Sequence, residues 1–387
     1  MPIKNRFAEL LPEITEWRQD FHRNPELLFD THRTAGIVAD KLAAFGCDEV
    51  VTGIGRTGVV GVIKGKTDTT GNVIGLRADM DALPILEETG VDYASTTPGK
   101  MHACGHDGHT AMLLGAAKYL SETRNFDGTV VVIFQPAEEG GGGGREMVED
   151  GMMERFNIKE VYGMHNWPKL PIGQFAIRPG PFFAATDQFE LIVKGRGGHA
   201  AKPNEAIDTT LIASHIVVAL QSIVSRNIHP DGNLVVSVTS FETSSKAFNV
   251  LPQTVHIKGT IRSMGTEMRA LGETRMREIS AGIAATYGGT VEVIFHPGYP
   301  ATVNSPEQTE FAAEVARAVS GDCQDAEITM GGEDFSYMLE KRPGAYILVG
   351  NGDTADVHHP KYNFSDETIP AGCSYWAEIV ERRMPAA

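Results

Sequence analysis

Thr129-Val130-Val131-Val132-Ile133-Phe134-Gln135-Pro136-Ala137-Glu138-Glu139 is an apolar run that ends in two adjacent carboxylates. Uninterrupted β-branched and aromatic residues are what a strand buried on both faces of a parallel sheet requires. Pro136 ends the strand, so Glu138 and Glu139 stand at its carboxyl end, where open α/β sheets place their ligands. Adjacent glutamates are commonly a solvated pair, but these follow directly on a buried strand. Two more stretches have the same form. Val73-Ile74-Gly75-Leu76-Arg77 runs into Ala78-Asp79-Met80-Asp81, and Val161-Tyr162-Gly163-Met164 runs into His165-Asn166.

Between the first two strands lies Met101-His102-Ala103-Cys104-Gly105-His106-Asp107-Gly108-His109, followed by a helix predicted over about His109–Ser121. Gly105 lets the backbone turn sharply between Cys104 and His106, so a sulfur and an imidazole nitrogen can aim at one point. Taken alone, these residues could equally be a buried thiol beside a structural histidine, or a nucleophile and its base. Three successive stretches thus carry Cys/His, Glu-Glu and His, and that convergence favours a metal.

With 387 residues the chain exceeds a typical single core and suggests two domains. Its formal charge of -16 argues against nucleic-acid or anionic-membrane partners. The polar start offers no signal-peptide core, and no apolar run reads as membrane-spanning. Four scattered cysteines show no disulfide spacing, so the expected location is the reducing cytoplasm.

Helices are predicted over 7–23 and 34–45, the second closed by Gly46. Short strands follow near 50–52 and 58–63. The five glycines Gly140–Gly144 lack the Gly-Lys-Ser/Thr ending of a phosphate loop and read as flexible. From Thr186 the order becomes β-α-β-β-α-β, a ferredoxin-like unit, punctuated by Pro179-Gly180-Pro181 and Pro297-Gly298-Tyr299-Pro300. The expected domains are 1–183 with 297–387, and an inserted 184–296. The resumed first domain carries a glycine turn with two acids, Gly331-Gly332-Glu333-Asp334, then a strand near Tyr346–Val349, Val357-His358-His359-Pro360, and a last helix.

If the strand ends converge, Cys104, His106, Glu139, His165 and His358 supply ligands suited to Zn²⁺, with Co²⁺, Ni²⁺ or Mn²⁺ as alternatives. Five ligands exceed the three protein ligands that a catalytic zinc usually keeps, and two cations sharing one ligand fit the count. Cys104 is the natural bridge, because a thiolate has lone pairs for both. Ions roughly 3.5–4 Å apart can hold a hydroxide between them. Glu138, beside a ligand, is placed to move the water's proton to a leaving nitrogen.

His-Ala-Cys-Gly-His-Asp-Gly-His (102–109), Gln-Pro-Ala-Glu-Glu-Gly (135–140), Gly-Met-His (163–165), Gly-Arg-Gly-Gly-His-Ala-Ala (195–201) and His358-His359-Pro360 resemble the di-metal aminoacylase/carboxypeptidase amidohydrolases. The similar branch holds hippurate hydrolases, N-acyl-amino-acid amidohydrolases and auxin-conjugate hydrolases. The resemblance covers essentially the whole chain, from Phe21-His22-Arg23-Asn24-Pro25-Glu26 onward. It implies a zinc-peptidase-like catalytic domain with a mixed, largely parallel sheet, and a ferredoxin-like insert serving as lid and dimer interface.

By the same resemblance Cys104 bridges two metals, His106 and His165 complete one site, Glu139 and His358 the other, and Glu138 is the general base. His199 would reach the partner subunit's site and polarise the scissile carbonyl. Asn249 and Arg262 would hold the substrate carboxylate, although a turn residue and a surface strand residue are their plain readings. Related carboxypeptidases have His-x-Asp where this chain has Asp79-Met80-Asp81, so both acids are expected to support ligands. Among the remaining histidines only His109 is expected near the ligands. The implied reaction is hydrolysis of N-acyl amino acids by a homodimer or a dimer-based homo-oligomer. Dipeptidase or carboxypeptidase action, a non-catalytic metal protein and a cysteine hydrolase using Cys104 are the alternatives.

Overall fold

Helix His106–Thr123 is buried on nearly every side, including Ala111, Met112, Leu113, Leu114, Ala116, Ala117 and Leu120. A helix apolar all round must lie inside a layered core. Gly108 and Gly115 let its neighbours approach. A Cβ at Gly108 would stand 2.3 Å from Phe364, and one at Gly115 2.6 Å from Ile14. Helices Asn5–Arg23 and Ile369–Arg383 pack against it. Truncating Leu114, which is 0% exposed, to Ala would cost about 2–5 kcal/mol.

The computed structural model describes residues 4–386, which fall into two compact units. The first comprises residues up to Gly180, Val303–Glu327 and Asp334 onward. Its sheet runs Glu49–Ile54, Gly58–Lys64, Thr129–Gln135, Val73–Asp79, Glu160–Trp167, Gly344–Gly350, Phe175–Ile177, Gln324–Asp325. Four neighbouring strands, Thr129–Gln135, Val73–Asp79, Glu160–Trp167 and Gly344–Gly350, are mutually parallel. Their carboxyl ends therefore share one edge, and the chemistry-bearing stretches leave from that edge.

The second unit is Pro181–Thr302 with Ile328–Glu333. Its antiparallel sheet has the order Leu234–Thr243, Thr254–Ser263, Ala185–Lys194, Thr290–His296. With helices Thr209–Ser222 and Thr266–Thr286 this is the ferredoxin-like arrangement. Phe189, Leu191, Val193, Val255, Ile257 and Ile261 alternate inward to make its core. Helix 209–222 starts on Asp208, whose carboxylate accepts Thr210 N and Leu211 N. With its π turn, Thr209–Asn227 has a membrane-spanning length and apolarity that the sequence reading did not credit. Ile212, Ala213, Ile216 and Leu220 spend that apolarity on the unit's own core.

Two sequence expectations need correcting. Ile328–Glu333 does not belong with the first unit: Ala184 N donates to Thr329 O (3.1 Å) and Gly331 O (3.0 Å), and Thr329 N to Phe182 O (3.0 Å). The glycine run is not a flexible loop, because helix Gly143–Glu149 begins inside it. A Cβ on Gly143 would stand 1.8 Å from Pro136 O, so close backbone packing is what demands glycine there.

Candidate metal centre

Cys104 and His106 flank Gly105, which takes φ 88 in the left-handed region. A Cβ there would meet Asn166 Nδ2 at 2.2 Å and the Tyr362 hydroxyl at 2.5 Å. His106 is the first residue of its helix, three residues before the predicted start. Ala137 adopts φ 53, and beyond it Glu138 N and Glu139 N both donate to Asp81, at 2.9 and 3.1 Å. His358, with φ 66, is tied back by its N–H to Ala103 O at 2.7 Å. Left-handed backbone at non-glycine residues is uncommon, and strain of this kind collects at functional sites.

These turns bring all five expected ligands together. Cys104 Sγ lies 3.3 Å from His165 Nε2, and His358 Nε2 lies 3.2 Å from Glu139 Oε1. The ligand atoms of Cys104, His106 and His165 lie within 4.8 Å of one another, as do those of Cys104, Glu139 and His358. Cys104 is the member common to both groups. Glu138 is buried, with a carboxylate oxygen within 4.8 Å of His106 and Glu139 ligand atoms.

The donor set fits divalent cations. Both His106 ring nitrogens and Glu139 Oε1 are buried without a hydrogen-bond partner. His106 Nδ1 faces Asp81 Oδ1 at 3.5 Å, too long for a sound hydrogen bond. Each such orphaned group costs about 1–3 kcal/mol, which cation binding would remove. Sulfur, imidazole and carboxylate within one bond network are zinc's preferred ligands.

Protonation follows from burial and charge. Burial, then Glu139, Glu138 and Asp79, push the Cys104 thiol far up. Burial opposes charge on His106, yet Asp79, Asp81 and Glu139 raise its pKa to about 10. Burial, then His109, hold His165 well below the usual histidine range. His165 Nδ1 donates to Asn166 O at 2.6 Å, which leaves Nε2 free to act as a ligand.

His109 is placed differently. Asn166 N donates to its Nε2 (2.9 Å), and its Nδ1 faces Asp79 Oδ1 (2.6 Å). Both nitrogens are committed, and His109 supports rather than ligates. Asp79 also receives Arg77 Nη1 at 2.7 Å. His22, expected to be structural, backs the ligand-bearing stretch. It is buried, donates to Asp107 (2.8 Å), the residue after His106, and faces Glu87 at 3.2 Å. Its place in the opening Phe-His-Arg-Asn-Pro-Glu motif was the available signal.

In the second unit His199 and Asn249 line one groove. Strand Val250–Leu251 pairs with Gly198–His199, and Ala200 N donates to Asn249 O at 3.0 Å. Arg262 lines a different groove, with Glu190, Thr260 and His296. It stands eight residues beyond Thr254 on a strand rising about 3.3 Å per residue, roughly 26 Å along it. Asn249 and Arg262 of one chain therefore do not grip the same small carboxylate, contrary to the simplest reading.

Residues 75–382 match Peptidase family M20/M25/M40. The chain belongs to this family. This M20 chain is 42% identical over 381 residues to the hippurate hydrolase of Campylobacter jejuni, covering 96% of itself and 98% of that relative. It is 39% identical over 367 residues to the N-acetylcysteine deacetylase of Bacillus subtilis, covering 95% of each. The crystal structure of the Bacillus subtilis YXEP protein, described as a dinuclear metal binding peptidase of the M20 family, superposes with a TM-score of 0.87 at 34% identity. That match covers 98% of this chain and 100% of the other. The M20 chain is thus a hydrolase of a metal-binding family.

Proposed function

We propose that this M20 hydrolase cleaves the amide bond of N-acyl amino acids to a carboxylate and a free amino acid. The observation that carries the reading is the pair of ligand groups sharing Cys104, with the buried Glu138 beside them. Two relatives named above are a hippurate hydrolase and a deacetylase of N-acetylcysteine.

Cys104, His106 and His165 would hold one divalent cation, and Cys104, Glu139 and His358 the other, with Zn²⁺ the best match to the donor set. When bound, the cations supply Lewis acidity toward the water and the amide carbonyl. Glu138 takes a proton from the attacking water and delivers it to the leaving nitrogen. With Cys104 as the ligand shared by both cations, its thiolate is committed to them and not free to act as a nucleophile.

His199 donates to the developing oxyanion and Asn249 lies beside it. Arg262 forms no ion pair among the described residues, which leaves its guanidinium for the substrate carboxylate. Since His199 and Asn249 stand far from Arg262 within one chain, the two sets serve one substrate only if different protomers supply them. The dimer would form through the second unit. Strand Leu234–Thr243 is an edge strand with exposed Val235 and Phe241, and helix 209–222 exposes Leu211 and Val218. The reducing cytoplasm suits the free Cys104 thiol.

The test is hydrolysis of hippurate, N-acetyl-methionine, an indoleacetyl-amino acid and a dipeptide by metal-loaded protein. Release of amino acid from the acylated substrates, with little from the dipeptide, is expected. Cleavage of the dipeptide alone would replace this reading with a peptidase.

A further inference from the structure

The turn Gly331-Gly332-Glu333-Asp334 remains without a role in the reaction as described. Asp334 is the residue at which the chain last returns to the first unit, and it is 0% exposed. Its Oδ1 accepts Arg77 Nη2 at 3.0 Å and Gln135 Nε2 at 2.7 Å. Its Oδ2 accepts Gly144 N, the last residue of the glycine run, at 2.8 Å. A Cβ on Gly144 would stand 2.8 Å from Asp334 O and 3.0 Å from Gln135 Oε1, so this contact is made at backbone range.

The segment carrying Glu138 and Glu139 is therefore pinned at both ends by a buried carboxylate. Asp81 takes the N–H groups of Glu138 and Glu139 at its start. Asp334 takes Gly144 N at its end. The second anchor is electrically joined to the ligand cluster, because the same guanidinium donates to Asp79 at 2.7 Å, and Asp79 holds His109. Arg77 Nε fixes Gln135, the last residue of the strand that launches the segment, at 2.9 Å. One buried cation thus sets Asp79, Gln135 and Asp334 in fixed relation.

We propose that Asp334, acting through Arg77 and Gly144, is a positioning residue for the hydrolytic reaction: it fixes where Glu138 and Glu139 stand relative to His106 and Cys104. This rests on the amidohydrolase reading above. A carboxylate oxygen of Asp334 also lies within 4.8 Å of one of Glu138, and the effect of Asp334 passes through Glu138 and the segment it anchors. Asp334→Asn keeps the size of the side chain but turns one acceptor into a donor. Either Gly144 N or the Arg77/Gln135 pair then meets an NH₂ group, and one end of the anchor opens.

The experiment compares wild type, Asp334→Asn and Gly144→Ala in hydrolysis of the best N-acyl amino acid. It adds cobalt loading, read by elemental analysis and by the visible absorption of the Co²⁺–thiolate site. Supporting partners of metal sites typically contribute 10–100-fold to affinity or activity. Both variants should bind Cys104-ligated Co²⁺ and show a shifted d–d spectrum. Their kcat should fall about 10–100-fold while KM stays within about threefold. Gly144→Ala disturbs the same contact without changing charge, so its agreement with Asp334→Asn separates positioning from electrostatics. Wild-type spectra and kcat in folded Asp334→Asn would overturn the proposal, as would a loss of kcat no larger than the fraction unfolded by circular dichroism. If wild type itself cleaves no acylated substrate, the functional reading fails, a result distinct from equal rates in variant and wild type.

Discussion

Replacing Asp81 by Asn tests how the buried acids organise the ligands. The carboxylate is 1% exposed, and its two oxygens accept Glu138 N at 2.9 Å and Glu139 N at 3.1 Å. The oxygen serving Glu138 also faces His106 Nδ1 at 3.5 Å. An amide has one acceptor. With that oxygen kept toward Glu138 and His106, its NH₂ meets the N–H of Glu139. One hydrogen bond to a charged group, about 1.5–3 kcal/mol, is lost. That loss falls on the ligand shared with His358, so the Cys104–Glu139–His358 cation should weaken first. At 1.4 kcal/mol per tenfold, the drop is about 10–150-fold in affinity for that cation. Burial already raises the pKa of Asp81 and disfavours its charge, so the metal-free variant should melt within a few degrees of wild type. Competition with a chromophoric chelator measures both affinities, and differential scanning fluorimetry measures the metal-free melt. Two unchanged affinities would refute this reasoning.

Other substitutions report on neighbouring steps. Glu138→Gln should keep both metals by elemental analysis and lose about 10²–10⁴-fold in kcat, the usual weight of general acid–base catalysis. Wild-type turnover in that variant would remove Glu138 as base. Burial opposes charge on His22, but its hydrogen bonds to Asp107 and Glu87 raise its pKa from 6.5 to about 9. The stability it contributes, on the order of 3 kcal/mol, is therefore fully present below about pH 6.5 and lost as pH rises through 9. Urea unfolding of metal-free protein from pH 6 to 10 should show this decline, and His22→Gln should flatten it. A wild-type profile that rises over this range would show His22 to be neutral in the fold. Cys104→Ala should fail to retain a full complement of cations after dialysis, and full occupancy would eliminate Cys104 as the shared ligand.

Much of the site could be read from residues because parallel strands deliver side chains to one edge. The runs before Asp79, Glu138 and His165 identify buried strands, and adjacency in a parallel sheet does the rest. Harder to read were features made by contacts distant in sequence. Helix 106–123 starts earlier than predicted because its N-cap is the left-handed Gly105, where Asn166 and Tyr362 leave no room for a Cβ, with no Ser, Thr or Asp cap to announce it. The glycine run looked flexible because composition says nothing of Pro136 O, against which Gly143 packs. Asn249 and Arg262 are thirteen residues apart in sequence, yet the intervening strand carries Arg262 to its far end. Asp334 meets Arg77 across 257 positions, and no local pattern carries that pairing.

The account stands on two cations sharing one thiolate, and the direct test is activity titrated against metal. Chelated protein, verified empty by elemental analysis, would receive Zn²⁺ stepwise while hippurate hydrolysis and bound metal per chain are followed together. Activity that returns only on metal addition and reaches its plateau at two equivalents is the predicted result. Full turnover by the verified metal-free protein, or a plateau at one equivalent, would contradict it.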